Sequence, residues 1–122
     1  MAQLLQLSWG VVDEPELLDP ELLADAAAAF GILSATSRLQ IVWLLAAGPR
    51  DVGTLATALG QPVAAVSQHL AKLKLAGLVR ARRDGRHQIY VIDDPGVVEV
   101  VRAVVASRTA RRPEAPGERG TA

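Results

Sequence analysis

A mainly α-helical fold carrying one small β-hairpin (α+β) is what the sequence predicts, on three observations. Half of the 122 residues are hydrophobic, and that weight lies in Leu, Val and Ala. The only aromatics are Trp9, Phe30, Trp43 and Tyr90, a balance that favours helices over a β-sandwich. Asp-Pro pairs and single glycines punctuate the middle of the chain where helices would start and stop. Two short alternating runs flank Asp84-Gly85, which is a hairpin signal.

The elements follow in order. Asp19-Pro20-Glu21 supplies a cap, a proline at the first helical position and an early acid, and Leu22, Leu23, Ala26, Ala27, Phe30 and Leu33 recur at helical spacing. The first helix is expected over about 20–33. Ser34-Ala35-Thr36-Ser37 starts a second, over about 36–47, which Gly48-Pro49 stops. A third covers about 51–59 and ends at Gly60. A fourth, over about 62–76, carries Val63, Val66, Leu70 and Leu73 as its inward face and ends at Gly77. The hairpin takes 78–92. Asp94-Pro95 then opens a last helix to about 108. Its valines also suit a strand, but Glu99 and Arg102 stand three apart and favour a helix. Residues 1–18 read as an arm, 19–110 as one domain, and 111–122, rich in Pro and Gly, as a disordered tail.

The formal net charge is zero, but the charges are segregated. Residues 61–92 hold Lys72, Lys74, Arg80, Arg82, Arg83 and Arg86 against Asp84 alone, while Arg38 and Arg50 are the only bases before residue 61. A basic middle in a neutral chain suits an anionic partner, nucleic acid first, or simply a solvated basic face. The order of elements favours the former. Two helices joined by a short turn, followed at once by a basic hairpin, are a winged helix-turn-helix in outline. On the fourth helix Gln61, Ala64, Ala65, Ser67, Gln68 and Lys72 are left outward or partly so. Ser67 and Gln68 can bond base edges, and an alanine can touch a thymine methyl. Arg82, Arg83 and Arg86 flank the hairpin tip, within reach of phosphates. The competing reading is an ordinary helical core with a basic surface hairpin.

Residues from about 34 to 92 resemble the ArsR/SmtB family of bacterial winged-helix regulators. The resemblance rests on Ala35-Thr36-Ser37-Arg38-Leu39-Gln40-Ile41, on Val52 to Gly60, on Ala65-Val66-Ser67-Gln68-His69-Leu70-Ala71-Lys72-Leu73, and on Gly77-Leu78-Val79 with Arg83-Asp84-Gly85-Arg86-His87-Gln88-Ile89-Tyr90. It implies a homodimer built by the first and last helices, binding double-stranded DNA at a promoter inverted repeat, with a metal ion or small effector as signal. It also places His69 in the recognition helix, packed or facing phosphate, and His87 in the wing, facing solvent or DNA. The expected dimer surface is Ala26, Ala27, Phe30, Val97, Val101, Val104 and Val105.

The metal sites that the resemblance implies are not reproduced. At the third-helix Cys-x-Cys positions stand Asp51 and Gly53. On the last helix Asp94 matches one ligand, but Gly96, Ser107 and Ala110 occupy the other positions. Asp51 and Asp94 are isolated remnants, and a first-row metal needs several convergent donors. No cofactor is therefore required. Weak nickel or other divalent binding through Asp94, His69, His87 or the acids Asp13, Glu14, Glu16 and Asp19 is the most that these donors allow, and those acids read first as a solvated arm. A co-regulator protein that brings the signal is one alternative. A docking module that never binds DNA is the other, though it would have no need of three wing arginines.

Catalysis is not expected. The chain has no cysteine, nucleophile elbow, phosphate loop or His-Glu-x-x-His. Ser67 and His69, two apart on a helix, point apart. No run of about 18 apolar residues predicts a membrane span, and no basic-then-apolar start predicts a signal peptide. The absence of cysteine fits a cytoplasmic protein.

Overall fold

The computed structural model describes residues 16–113, so the arm before Glu16 and the tail beyond Pro113 lie outside the described residues. Among the described residues five helices and a three-stranded sheet follow one another: α1 (Pro20–Leu33), α2 (Thr36–Ala46), β1 (Arg50–Asp51), α3 (Val52–Leu59), α4 (Val63–Leu75), β2 (Val79–Asp84), β3 (His87–Ile92) and α5 (Pro95–Arg111).

Aspartates cap three of the helix starts: Asp19 and Asp94 where the sequence opens a helix, and Asp51, which is expected inside the third helix. The Asp19 carboxylate accepts from the N–H groups of Glu21 and Leu22, both at 3.1 Å. Asp51 accepts from Thr54 at 2.8 Å, and Asp94 from Val97 at 3.2 Å. Each satisfies a donor that a helix start leaves without an intrahelical partner. The second helix departs from expectation. Ser34 does not open it but closes α1, its hydroxyl donating to the Gly31 carbonyl at 2.7 Å. The N-cap of α2 is Ala35, which makes no side-chain cap bond. The corner is held by Arg38, whose Nε donates to the Ile32 carbonyl at 2.8 Å. The last helix runs three residues past its expected end, into what reads as tail.

The sheet has the order β1-β3-β2, antiparallel throughout. The expected hairpin is β2–β3. The third strand is an addition: Arg50 pairs with Tyr90 and Asp51 with Ile89. Asp84 pairs with His87, so the loop is Gly85-Arg86, one residue later than a turn centred on Asp84-Gly85. Gly85 has φ +66°, which suits glycine at the first position of a two-residue loop.

Three elements build the centre of the core. Ile41, Val42 and Leu45 from α2 meet Leu55 and Ala56 from α3 and Val66, Leu70 and Leu73 from α4; Leu78, Val79, Val98 and Val101 complete it. Ile41, Leu55, Val66, Leu70 and Leu73 expose nothing. Burying three such side chains contributes on the order of 5 kcal/mol at about 1.5–3 kcal/mol each, enough to seat α4 firmly on the domain. Val63 corrects the predicted inward face of that helix. It lies in the first turn, before the helix descends onto the core, and is half exposed. Among the described residues no single helix is long and apolar enough to cross a membrane.

The last helix sorts its valines into two faces. Val98 and Val101 are buried, and Val97 and Val105 pack against the same cluster. Val100 and Val104 point outward, 43 % and 52 % exposed. Val101, expected at a dimer surface, is thus corrected to the protomer's own core at 5 % exposure. The Arg102 guanidinium donates to Glu99 on its own helix at 3.3 Å and makes a long contact of 3.5 Å to the Ala46 carbonyl at the end of α2.

Candidate nucleic-acid interface

The turn between α3 and α4 is residues 60–62. Gly60 takes a left-handed φ of 66°, ending α3, and the Gln61 N–H donates back to the Ala56 carbonyl at 3.1 Å. The Pro62 carbonyl then receives the N–H groups of Ala65 and Val66, both at 3.1 Å, to begin α4. With Val66, Leu70 and Leu73 facing the core, helical periodicity turns Ala64, Ser67, Gln68 and Lys72 to solvent, and all four are exposed. Ala65 and His69 are half-buried at the edges of that stripe. The helix therefore presents small and polar groups with two donor–acceptor side chains, Ser67 and Gln68, one after the other.

Gln61 differs from the rest of the expected set. Its side-chain Nε2 donates to the Ser37 hydroxyl at 2.8 Å, in the first turn of α2. Nothing in the sequence pointed to that pairing, because the two residues lie 24 apart and turn residues are usually solvated.

The hairpin carries the charge. Arg82, Arg83, Arg86 and His87 are all exposed. Strand alternation puts Arg82 and Arg83 on opposite faces of the ribbon, with Arg86 in the loop between the strands. Among the described residues no carboxylate pairs with Arg82, Arg83, Arg86 or Lys72; the ion pairs there are Arg80–Asp93, Arg102–Glu99 and the contact of His87 with Asp51. The wing cations are thus available to an outside anion. Arg80, at the base of the wing, is already engaged with Asp93 at 3.0 Å.

His87 Nδ1 lies 3.6 Å from an Asp51 oxygen, linking the wing to the start of α3. The Asp51 carboxyl is held below its ordinary range, first by the Thr54 backbone N–H, then by the Thr54 side chain; burial opposes the shift, and His87 adds a smaller lowering. Both carboxylates singled out as metal remnants, Asp51 and Asp94, are therefore helix caps. Glycines stand beside them at 53 and 96. Among the described residues no group of three His, Cys, Asp or Glu side chains converges as a metal site. The residues present do not fit the metal sites that the resemblance implies.

The geometry is matched by relatives. Residues 36–81, from α2 to the first strand of the hairpin, match the model of the bacterial regulatory protein, arsR family. The HTH-type transcriptional regulator KmtR of Mycobacterium tuberculosis is 38 % identical over 87 residues, 71 % of this chain and 67 % of that protein. The regulator NmtR of the same organism is 37 % identical over 84 residues, 69 % of this chain and 70 % of that protein. This chain belongs to the ArsR family. ArsR-family relatives are transcriptional regulators, not enzymes, and solved structures share the fold. The homodimeric winged helix-turn-helix DNA-binding domain Mb0332 of Mycobacterium bovis is 33 % identical, with a TM-score of 0.72 over 84 % of this chain and 94 % of that one. The antimony-specific transcriptional repressor AntR is 27 % identical, also at a TM-score of 0.72, over 80 % of this chain and 89 % of that one. The predicted winged helix-turn-helix is the fold observed.

Proposed function

We propose that this chain is a homodimeric, sequence-specific DNA-binding repressor that reads an inverted repeat with α4 and grips the flanking phosphates with its wing. One observation carries the reading: an exposed stripe of Ala64, Ser67, Gln68 and Lys72 stands beside Arg82, Arg83 and Arg86, which have no carboxylate partner among the described residues. Phosphate contacts supply affinity without sequence information, and base-edge contacts supply choice. In this reading Lys72, Arg82, Arg83, Arg86 and His87 do the former. Ser67 and Gln68 do the latter, with Ala64, Ala65 and His69 lining the groove.

The dimer surface in this reading is the outer face of α1 and α5. Phe30 is 62 % exposed and Val104 52 %, and Leu22, Leu23 and Val100 extend the apolar area beyond Ala26 and Ala27. The neighbour Mb0332 is homodimeric, which supports a two-fold arrangement. Val97 and Val105 would brace this surface from the core side. Among the described residues neither carboxylate remnant belongs to a group of three metal-binding side chains, which favours a response supplied by a co-regulator protein or a non-metal effector over direct metal sensing.

The test is selection of duplexes from a random pool with the full chain, followed by binding of the recovered duplex and of a scrambled one. A preferred, two-fold symmetric sequence supports the reading. Gln68→Ala should then relax the preference, since a lost base contact costs about 1–3 kcal/mol. Recovery of no preferred sequence would refute it.

A further inference from the structure

The polar contacts around the first turn of α2 form a joint. On one side Arg38 Nε donates to the Ile32 carbonyl, at the end of α1. On the other, from the preceding residue, the Ser37 hydroxyl accepts from Gln61 Nε2 at 2.8 Å. Both bonds are partly buried, and Ser37, Arg38 and Gln61 are all half-buried. Gln61 is the middle residue of the turn that launches α4. One end of this joint therefore lies on the helix assigned to the dimer, and the other on the turn before the helix assigned to DNA.

We propose that Gln61 is a positioning residue, not a base-reading one: its amide, donated to Ser37, sets the direction in which α4 leaves the turn and so aligns Ser67 and Gln68 with base edges. The proposal rests on the reading of α4 as the DNA-reading helix.

The turn needs such a restraint. Gly60 is left-handed and tolerates a wide range of backbone angles, and the turn has only three residues. Burial of Val66, Leu70 and Leu73 keeps α4 on the domain, yet apolar packing is non-directional and tolerates small tilts. A tilt of about 10° pivoting at Pro62 would move Gln68, six residues on and about 9 Å along the axis, by about 1.6 Å. Base-edge hydrogen bonds hold within a few tenths of an ångström of their 2.7–3.2 Å range, so a shift of that size breaks them, whereas a flexible arginine on a phosphate can follow it. Loss of the bond should thus cost sequence choice more than overall DNA affinity. It should not unfold the domain, because the core beneath it is untouched.

The test uses variants at the far end of the bond. Ser37→Thr keeps the hydroxyl and adds a methyl, and Ser37→Val is isosteric with that threonine but lacks the hydroxyl, so the pair isolates the loss of the acceptor. They are compared with Gln61→Ala and with the Ser37→Val/Gln61→Ala double variant. The probes are the duplex selected with the wild-type chain and a scrambled duplex of the same length. Ser37→Val and Gln61→Ala should each reduce the ratio of specific to scrambled affinity by about tenfold. The double variant should be no worse than either single one, Ser37→Thr should behave as wild type, and all should melt cooperatively. Unchanged ratios for Ser37→Val overturn the proposal, as do fully additive losses, which would mean that Ser37 and Gln61 touch DNA independently. If the wild type itself shows no preference for any selected duplex, the assignment of α4 to DNA has failed, an outcome separate from failure of the joint.

Discussion

Two valines three residues apart on α5 should respond in opposite ways to the same charge. Val101 is 5 % exposed and packs in the core; Val104 is 52 % exposed and points away from it. Val101→Glu removes about 1.5–3 kcal/mol of apolar burial and places a carboxylate where the neighbours are Val98 and the α2 core residues, adding several kcal/mol of desolvation. The sum approaches the whole stability of a small domain, about 5–15 kcal/mol. Val104→Glu leaves the protomer's core intact. At a two-fold seam it would set two like charges against each other, and at about 5 Å with an effective dielectric of about 20 their repulsion is about 3 kcal/mol. That weakens a dimer by roughly 100-fold. Circular dichroism melts and sedimentation at micromolar concentration separate the two effects. Val101→Glu should lose its cooperative melt, while Val104→Glu should keep helicity and sediment as a monomer. A wild-type melt for Val101→Glu would refute the assignment of faces, and a dimeric Val104→Glu would refute the interface.

Other perturbations read other parts of the account. Arg82→Ala with Arg83→Ala should weaken binding to every duplex alike and reduce the salt slope by roughly one per lost phosphate contact, as followed by affinity between 50 and 200 mM salt. Asp51 is held below the ordinary carboxylate range in the folded chain, so its charge adds stability that is fully present above that range and is lost as pH falls through the depressed value. Asp51→Ala should therefore melt below wild type at neutral pH, and the gap should narrow on acidification below about pH 4, where thermal melts across pH would show it. Titration calorimetry with nickel should give weak binding or none, because Asp51 and Asp94 are caps with glycines beside them; a sub-micromolar site would contradict this.

Most helix starts and stops could be read from the chain because they depend on local chemistry; the N-cap of α2, where no side-chain bond forms, could not. An Asp before a Pro, or a glycine that can take a positive φ, announces itself without knowledge of the fold. The wing was readable for the same reason, from alternation about a glycine turn. What escaped depends on contacts far apart in sequence. β1 is two residues long, too short for any periodicity, and exists only because Arg50 and Asp51 fall beside Tyr90 and Ile89. The valines of α5 cover both faces of the helix, so pattern alone could not separate Val101 from Val104; contact with α2 decides it. Gln61 reads as one of the outward, DNA-facing residues, because nothing in the sequence shows that the fold brings Ser37 beside it. The exposed stripe of α4 was readable because three inward residues at helical spacing fix which residues face out.

The central claim, that α4 enters a major groove once in each half of a symmetric site, is tested most directly by methylation interference on the selected duplex. The dimer should be blocked by methylation of guanine N7, a major-groove atom, in two half-sites whose centres lie about one helical turn or a multiple of it apart. Interference confined to the minor groove, or absent from guanines in both half-sites, would contradict it.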